Sequence, residues 1–339
     1  MGCLNFDASR DLDIIPIGRV AIDFNPVDNN RPLEESRVFN KYVGGSPANI
    51  AVGMAKLGKK AGFIAKVSND QFGRFVVGFF NNCGIDTSNI CFAKNGESLG
   101  LTFTEMKSPT ESSILMYRTG AADLELTADD VNEDYIKRAK ILLVSGTALA
   151  KSPSREAVFT AIEYAQKHGV KIVFDVDFRN YTWKDANETA VYYAIAGKAS
   201  DIIIGSREEF TLMEGLICPG NTCDIKTAEI WHKHGNEIVV VKHGKLGASV
   251  YTKDGGCNSV KPFPTDVMKS FGGGDGFASA FLFSLLEGRD IAKALEFASA
   301  SASMLVSAHS CAEAMPTASE IEAFIAEKKS VYGEDVVLV

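Results

Sequence analysis

Asp275 closes the stretch Ser270-Phe271-Gly272-Gly273-Gly274-Asp275, and an apolar run, Gly276-Phe277-Ala278-Ser279-Ala280-Phe281, follows at once. Three consecutive glycines remove side chains, so backbone N–H groups can converge on one point. A helix beginning near Asp275 adds its own free N–H groups and the positive end of its dipole. Such a place binds anions. The chemistry it suits is phosphoryl transfer: the N–H groups hold developing negative charge while Asp275 takes the proton of an attacking hydroxyl. An aspartate that merely capped a helix would sit in a similar turn, but a cap requires at most one glycine.

A second cluster, Gly44-Gly45-Ser46-Pro47-Ala48-Asn49, leads into a helix with Pro47 in its first turn. Asn49 near that helix start can hydrogen-bond a polyol, or serve in ordinary capping. The stretch Gly53 to Lys60 approaches the phosphate-loop pattern and fails it. Lys60 stands where a magnesium-binding hydroxyl is needed, and the glycines follow an apolar helix instead of preceding one. No Gly-x-Gly-x-x-Gly follows a strand, so a dinucleotide-dependent oxidoreductase lacks its fingerprint. Asp175, Asp177 and Arg179 fall just past one apolar run, and Glu208 and Glu209 at a strand-to-helix turn. Carboxylates there can hold Mg²⁺ through water, and an arginine can pair with phosphate or carboxylate. His232 and His234 are two apart and point away from each other on a helix, which disfavours a shared metal.

The elements that must position these residues alternate along most of the chain. Short β-branched runs at 14–18, 61–67, 141–146, 171–177, 201–205 and 237–242 are separated by helical patterns at 47–57, 70–83, 153–168, 185–198, 206–214 and 224–234. Strands apolar on both faces between helices predict an α/β fold with a mostly parallel sheet covered on both sides. Segments 20–43 and 98–120 hold strand patterns without an intervening helix. They predict a small antiparallel sheet that acts as a lid. The last part, 274–328, predicts three helices.

The 339 residues carry a net charge of −8, and 46% are hydrophobic. A sizeable core is available, and the acidic balance argues against a nucleic-acid surface. Seven scattered cysteines predict free thiols in a reducing compartment. No run approaches a membrane span of about 18 residues. The first residues lack a signal-peptide core, and Phe6 does not suit myristoylation at Gly2. A cytoplasmic protein is expected.

Taken together, the residues from about 12 to 328 resemble the ribokinase-type (pfkB) carbohydrate kinases. Two signatures carry the resemblance: Gly44 to Gly58, and Lys269 to Phe281 with its Gly-x-Gly-Asp core. Weaker support comes from Ile17 to Phe24 and from Val239 to Tyr251. The resemblance implies a three-layer α/β/α sandwich over 12–330 with a small β-sheet lid, using ATP and Mg²⁺. It implies Asp275 as catalytic base and the backbone of Gly272, Gly273 and Gly274 as anion hole. Asp23, Gly44, Gly45 and Asn49 would hold the sugar. Lys242, Gly244, Gly247 and Ser303 would lie on the nucleotide side, and Glu209 would serve the metal, although Ser206 replaces the asparagine usual in that motif. Lys269 stands where the family usually has an aspartate that helps bind potassium. Its ammonium either takes the place of that ion or points to solvent.

Within the family, residues 42–58, 116–126 and 175–183 are closest to kinases of an oxidised, keto-acid sugar. Arg118 and Arg179 would then bind its polar end. Phosphorylation of 2-keto-3-deoxygluconate or of fructose are the alternatives, and a sensor that binds sugar or nucleotide without turnover is a reading from another class. The exposed edges of the lid sheet suit pairing across a two-fold axis, so a homodimer through the lid is expected.

Overall fold

The computed structural model describes residues 4–28, 30–108 and 111–339. Gly2 and Cys3 lie outside them. The chain runs through β1 (Leu12–Ile17), β2 (Ala21–Pro26), β3 (Phe39–Gly44), α1 (Ser46–Lys56), β4 (Ala65–Val67), α2 (Gln71–Asn82), β5 (Ile90–Phe92), β6 (Gly100–Ser108) and β7 (Glu111–Tyr117). It continues with α3 (Glu133–Ile136), β8 (Ala139–Ser145), α4 (Ser154–Lys167), β9 (Lys171–Asp175), α5 (Ala186–Lys198), β10 (Ile202–Ser206), α6 (Arg207–Met213) and α7 (Asp224–Lys233). The last elements are β11 (Ile238–Lys242), β12 (Ala248–Thr252), β13 (Cys257–Val260), α8 (Gly273–Leu286), α9 (Ile291–Val306) and α10 (Ala318–Tyr332).

The central sheet has the order β1-β8-β9-β10-β11-β12-β13. It is parallel from β1 to β11, and the last two pairings are antiparallel. Its middle strands are buried on both faces because alternate side chains enter two separate cores. Ile141, Leu143, Ile202, Ile204 and Val240 pack with α1, α8 and α9. Leu142, Val144, Ile203, Val239 and Val241 pack with residues of α4, α5 and α6. The result is the expected three-layer arrangement. The 61–67 run is a continuous strand only over Ala65–Val67, where it pairs with β5. Ahead of that it touches β1 through bridges at Ala61 and Ile64, with backbone hydrogen bonds from Gly62 to Ile14 and from Ile64 to Pro16.

The smaller sheet has the order β3-β2-β6-β7. It is not wholly antiparallel as expected: β2 and β6 run parallel. Parallel neighbours require a crossover, and the chain supplies one through α1, β4, α2 and β5 between them. The six described cysteines are unpaired.

Candidate active site

The C-terminal ends of β9, β10 and β11 and the first turns of α1 and α8 meet at one edge of the central sheet, where open α/β sheets bind ligands. Helix α8 begins at Gly273, with Gly272 as N-cap, so it opens two residues earlier than expected at Asp275. That shift takes the capping role away from the aspartate's side chain. Asp275 lies in the first turn and caps nothing; its Oδ2 accepts a hydrogen bond from Asn49 Nδ2 at 2.7 Å. The glycines have separate causes. Gly272 adopts φ +87°, and a Cβ there would stand 2.5 Å from Cys311 Sγ; one on Gly273 would stand 2.8 Å from Val306 Cγ1. The loop is therefore wedged against α9 and its following segment; the Asp275 N–H turns back to the Gly272 carbonyl at 3.0 Å, so the glycines supply the first turn's free N–H groups.

Burial raises the Asp275 carboxyl above its ordinary range, and the Asp177 charge adds to the rise; the Asn49 bond works in the other direction. Asp175 is pushed up to about 7, first by burial, and by Asp177, Glu209 and Asp275 against the pull of Lys242. Ser46 Oγ donates to Asp175 Oδ2 at 2.9 Å, and Lys242 Nζ lies 3.7 Å from its Oδ1. Asp177 stands at a strained φ of +35°, a conformation that marks functional positions. Burial opposes its ionisation, but Arg179 and Arg19 hold it below the ordinary range.

Across the cleft, at the end of β3, a Cβ on Gly44 would meet the Asp23 carboxylate at 2.1 Å, so only glycine lets that carboxylate lie there. Burial raises Asp23, opposed mainly by Arg19. Gly45 is the N-cap of α1 and Asn49 lies in that helix's second turn. Asp23, Gly44, Gly45, Asn49 and Asp275 are thus brought together. The two arginines of the expected acid-binding pair are partly committed elsewhere. Arg118 forks onto Asp123 and donates to the Thr147 carbonyl, leaving only Nη1 without a partner. Arg179 pairs with Asp177 at 2.8 Å and with its neighbour's carbonyl.

On the other side of the glycine loop lies a cavity of about 490 Å³, lined by Lys242, Gly244, Gly247 and Ser303 among largely apolar neighbours such as Phe263 and Val306. Its size and lining suit a nucleotide. A Cβ on Gly274 would stand 3.5 Å from Lys242 Nζ, which places that ammonium beside the anion hole. The Ser303 hydroxyl accepts from the Phe263 N–H, so it fastens the cavity wall.

Glu209 proves to be structural as well as electrostatic. Its two oxygens accept from the N–H groups of Ser206 and Phe178, closing a capping box on α6 and tying the end of β9 to it. Glu208 is exposed. Among the described residues no three side chains converge to chelate an ion directly. The under-neutralised group of Asp175, Asp177, Glu209 and Asp275 fits a hydrated divalent cation carried on nucleotide phosphates.

The sequence reading left Lys269 open between the ion's place and solvent, and it missed Arg19 altogether. Lys269 is 1% exposed, so it does not point to solvent. Its ammonium donates to the Ser310 carbonyl and lies 3.2 Å from Cys311 Sγ, directly behind Gly272. Arg19 follows β1 at the ligand edge and is buried; a basic residue right after an apolar strand was the available signal.

The family model described as pfkB family carbohydrate kinase matches residues 11–318. The chain belongs to the pfkB family of carbohydrate kinases. It is 61% identical over 337 residues to a protein of Clostridium tetani named 5-dehydro-2-deoxygluconokinase, covering 99% of both chains. It is 52% identical to one of the same name from Geobacillus thermodenitrificans, covering 97% of this chain and 98% of that one. Among solved structures, a sugar kinase of Pyrococcus horikoshii in complex with ATP matches with a TM-score of 0.77 at 28% identity, covering 91% of this chain and 96% of that one. A ribokinase II of E. coli in complex with ATP and Mg²⁺ matches with a TM-score of 0.84 at 24% identity, over 93% and 99% of the two chains, and shares the fold. As a pfkB kinase the chain is a phosphotransferase acting on carbohydrate. Among the described residues no helix is long and apolar enough to cross a membrane.

Proposed function

We propose that this kinase transfers the γ-phosphoryl group of ATP to the C6 hydroxyl of 5-dehydro-2-deoxy-D-gluconate, a step in the breakdown of myo-inositol. The observation that carries the substrate is the 61% identity, over nearly all of both chains, to the enzyme of that name. Asp23 and the backbone at Gly44 and Gly45 hold the sugar's hydroxyls. Asn49 orients the Asp275 carboxylate, which accepts the C6 proton as the oxygen attacks. Phosphoryl transfer needs positioning and charge stabilisation more than covalent help, so one carboxylate with a raised pKa suffices. The N–H groups of Gly272 to Gly274 and the Lys242 ammonium take up charge on the transferring group. Bound Mg²⁺ would neutralise the nucleotide's phosphates, held through water by Asp175 and Glu209. The sheet of β2, β3, β6 and β7 acts as the lid and excludes water; the exposed Leu115 and Tyr117 on its edge strand suit a homodimer through it.

An ADP-release assay over 5-dehydro-2-deoxygluconate, 2-keto-3-deoxygluconate, fructose and a nucleoside tests the reading. The first is expected to give the highest kcat/KM. A higher value for either sugar alternative reassigns the substrate, and no turnover of any would make the protein a binding module.

Glu209→Gln is expected to raise the Mg²⁺ concentration for half-maximal rate while sugar affinity stays nearly unchanged. An unaltered Mg²⁺ titration with a lowered melting temperature would leave Glu209 its capping role alone.

A further inference from the structure

Arg19 is 6% exposed, yet among the described residues it has no carboxylate within ion-pair distance. Its Nη1 points at Met116 Sδ at 3.2 Å, and its Nε has no partner. A thioether is a weak acceptor. A buried guanidinium without oxygen acceptors is costly, because its desolvation is uncompensated. The other two arginines nearby are matched: Arg118 with Asp123 and Arg179 with Asp177. Arg118 is close by: it stands two residues beyond Met116, just past the end of β7, and its side chain and that of Ala21 both lie within 4 Å of where a Cβ on Gly100 would stand; the Tyr181 hydroxyl is in the field of all three arginines. Arg19 is thus the one of the three without a carboxylate in ion-pair distance, and Nη1 of Arg118 is also unpartnered.

Asp23 and Asp177 link Arg19 electrostatically to Asp275. Asp23 feels Arg19 and Asp275, while Asp177 feels Arg19 and itself acts on Asp275. A hydroxyl placed at Asp275 leaves the far end of an extended sugar acid directed away from it. We infer that Arg19 receives the substrate's carboxylate, with Nη1 of Arg118 as second donor, so that this arginine pair sets the preference for an acid over a neutral sugar. The inference rests on the proposed substrate class. A guanidinium fork matches a carboxylate with two parallel hydrogen bonds, which an ammonium or a neutral partner cannot reproduce. The competing role is a counter-charge that only balances Asp23 and Asp177, and such a role does not distinguish acid from neutral ligand.

The test is calorimetric titration of the ADP-loaded protein with the 6-deoxy form of the proposed acid, which cannot accept phosphate, and with its neutral primary amide. Arg19→Met is expected to weaken the acid by about 10- to 100-fold, the loss of a charged hydrogen-bonded pair, and to leave the amide within about twofold. Arg19→Lys should fall between, and it carries the same comparison should the methionine variant not fold; ADP affinity reports that the site is intact. An equal loss for acid and amide, or an unchanged acid, would overturn the inference. Turnover of the parent acid by the unmodified protein is read separately. Its absence, with Arg19-dependent binding of the 6-deoxy acid retained, would defeat the substrate assignment and leave the acid site standing. Failure of the unmodified protein to bind the acid at all would defeat both.

Discussion

Asp275→Asn is expected to lower kcat by about 10²- to 10⁴-fold, the usual contribution of a positioned general base, with ADP binding and fold retained. The substitution is nearly isosteric and keeps an oxygen to accept from Asn49 Nδ2, so the bond that spans 226 residues of sequence survives. What is lost is the proton acceptor. The pH dependence gives a second check. Burial and the Asp177 charge raise the Asp275 pKa, and a base works only when ionised. Activity should fall as pH drops through that raised value, so the acidic limb of kcat/KM should lie above the ordinary range near 4. Asp275→Asn should remove that limb from the residual rate. Near-full turnover in the variant would sink the assignment. A limb that persisted unchanged would belong to Asp175, whose pKa is pushed up to about 7 by burial among like charges.

Lys269→Met is expected to cost about 10²-fold in kcat, comparable to removing one donor from an oxyanion hole, and the unmodified protein should need no potassium. The ammonium is buried behind Gly272 with a carbonyl and a thiol for partners, and no carboxylate neutralises it among the described residues. Its charge is available to the anion hole across that thin glycine wall. In low dielectric such a charge acts strongly over a few ångströms. Lys269→Asp should gain stimulation by K⁺, because a carboxylate and a freed pocket replace a fixed cation. Rates with K⁺ varied at constant ionic strength decide the matter. Strong K⁺ activation of the unmodified protein, or a methionine variant with full turnover, would refute the role.

The contrast between Asp275 and Glu209 shows what local sequence can carry. Three glycines before a carboxylate and an apolar helix form a compact statement about backbone N–H groups, and Asp275 lies where that statement places it. The parallel sheet was equally legible, because strands buried on both faces must be apolar at successive positions, as Ile202, Ile203 and Ile204 are. The two glycine-led helices, α1 and α8, were visible as well. Glu209 was legible as a carboxylate at a strand end, but its capping box with Ser206 depends on side-chain direction, and its bond to Phe178 on the loop that follows the neighbouring strand β9.

Tertiary structure alone decided which charges are matched. Arg118 and Arg19 look alike as basic residues beside strands, yet Asp123 pairs with one, while among the described residues the other hydrogen-bonds only the Met116 thioether. Lys269 could have been solvated, and the packing of the 268–272 segment on the end of α9 buried it instead. The parallel pairing of β2 with β6 was likewise hidden, since the crossover that brings the chain back spans more than seventy residues of helix, strand and loop. Periodicity and glycine placement are short-range properties written into neighbouring residues. Charge pairing and burial depend on groups a hundred or more positions apart, and only the folded chain brings those within reach of one another.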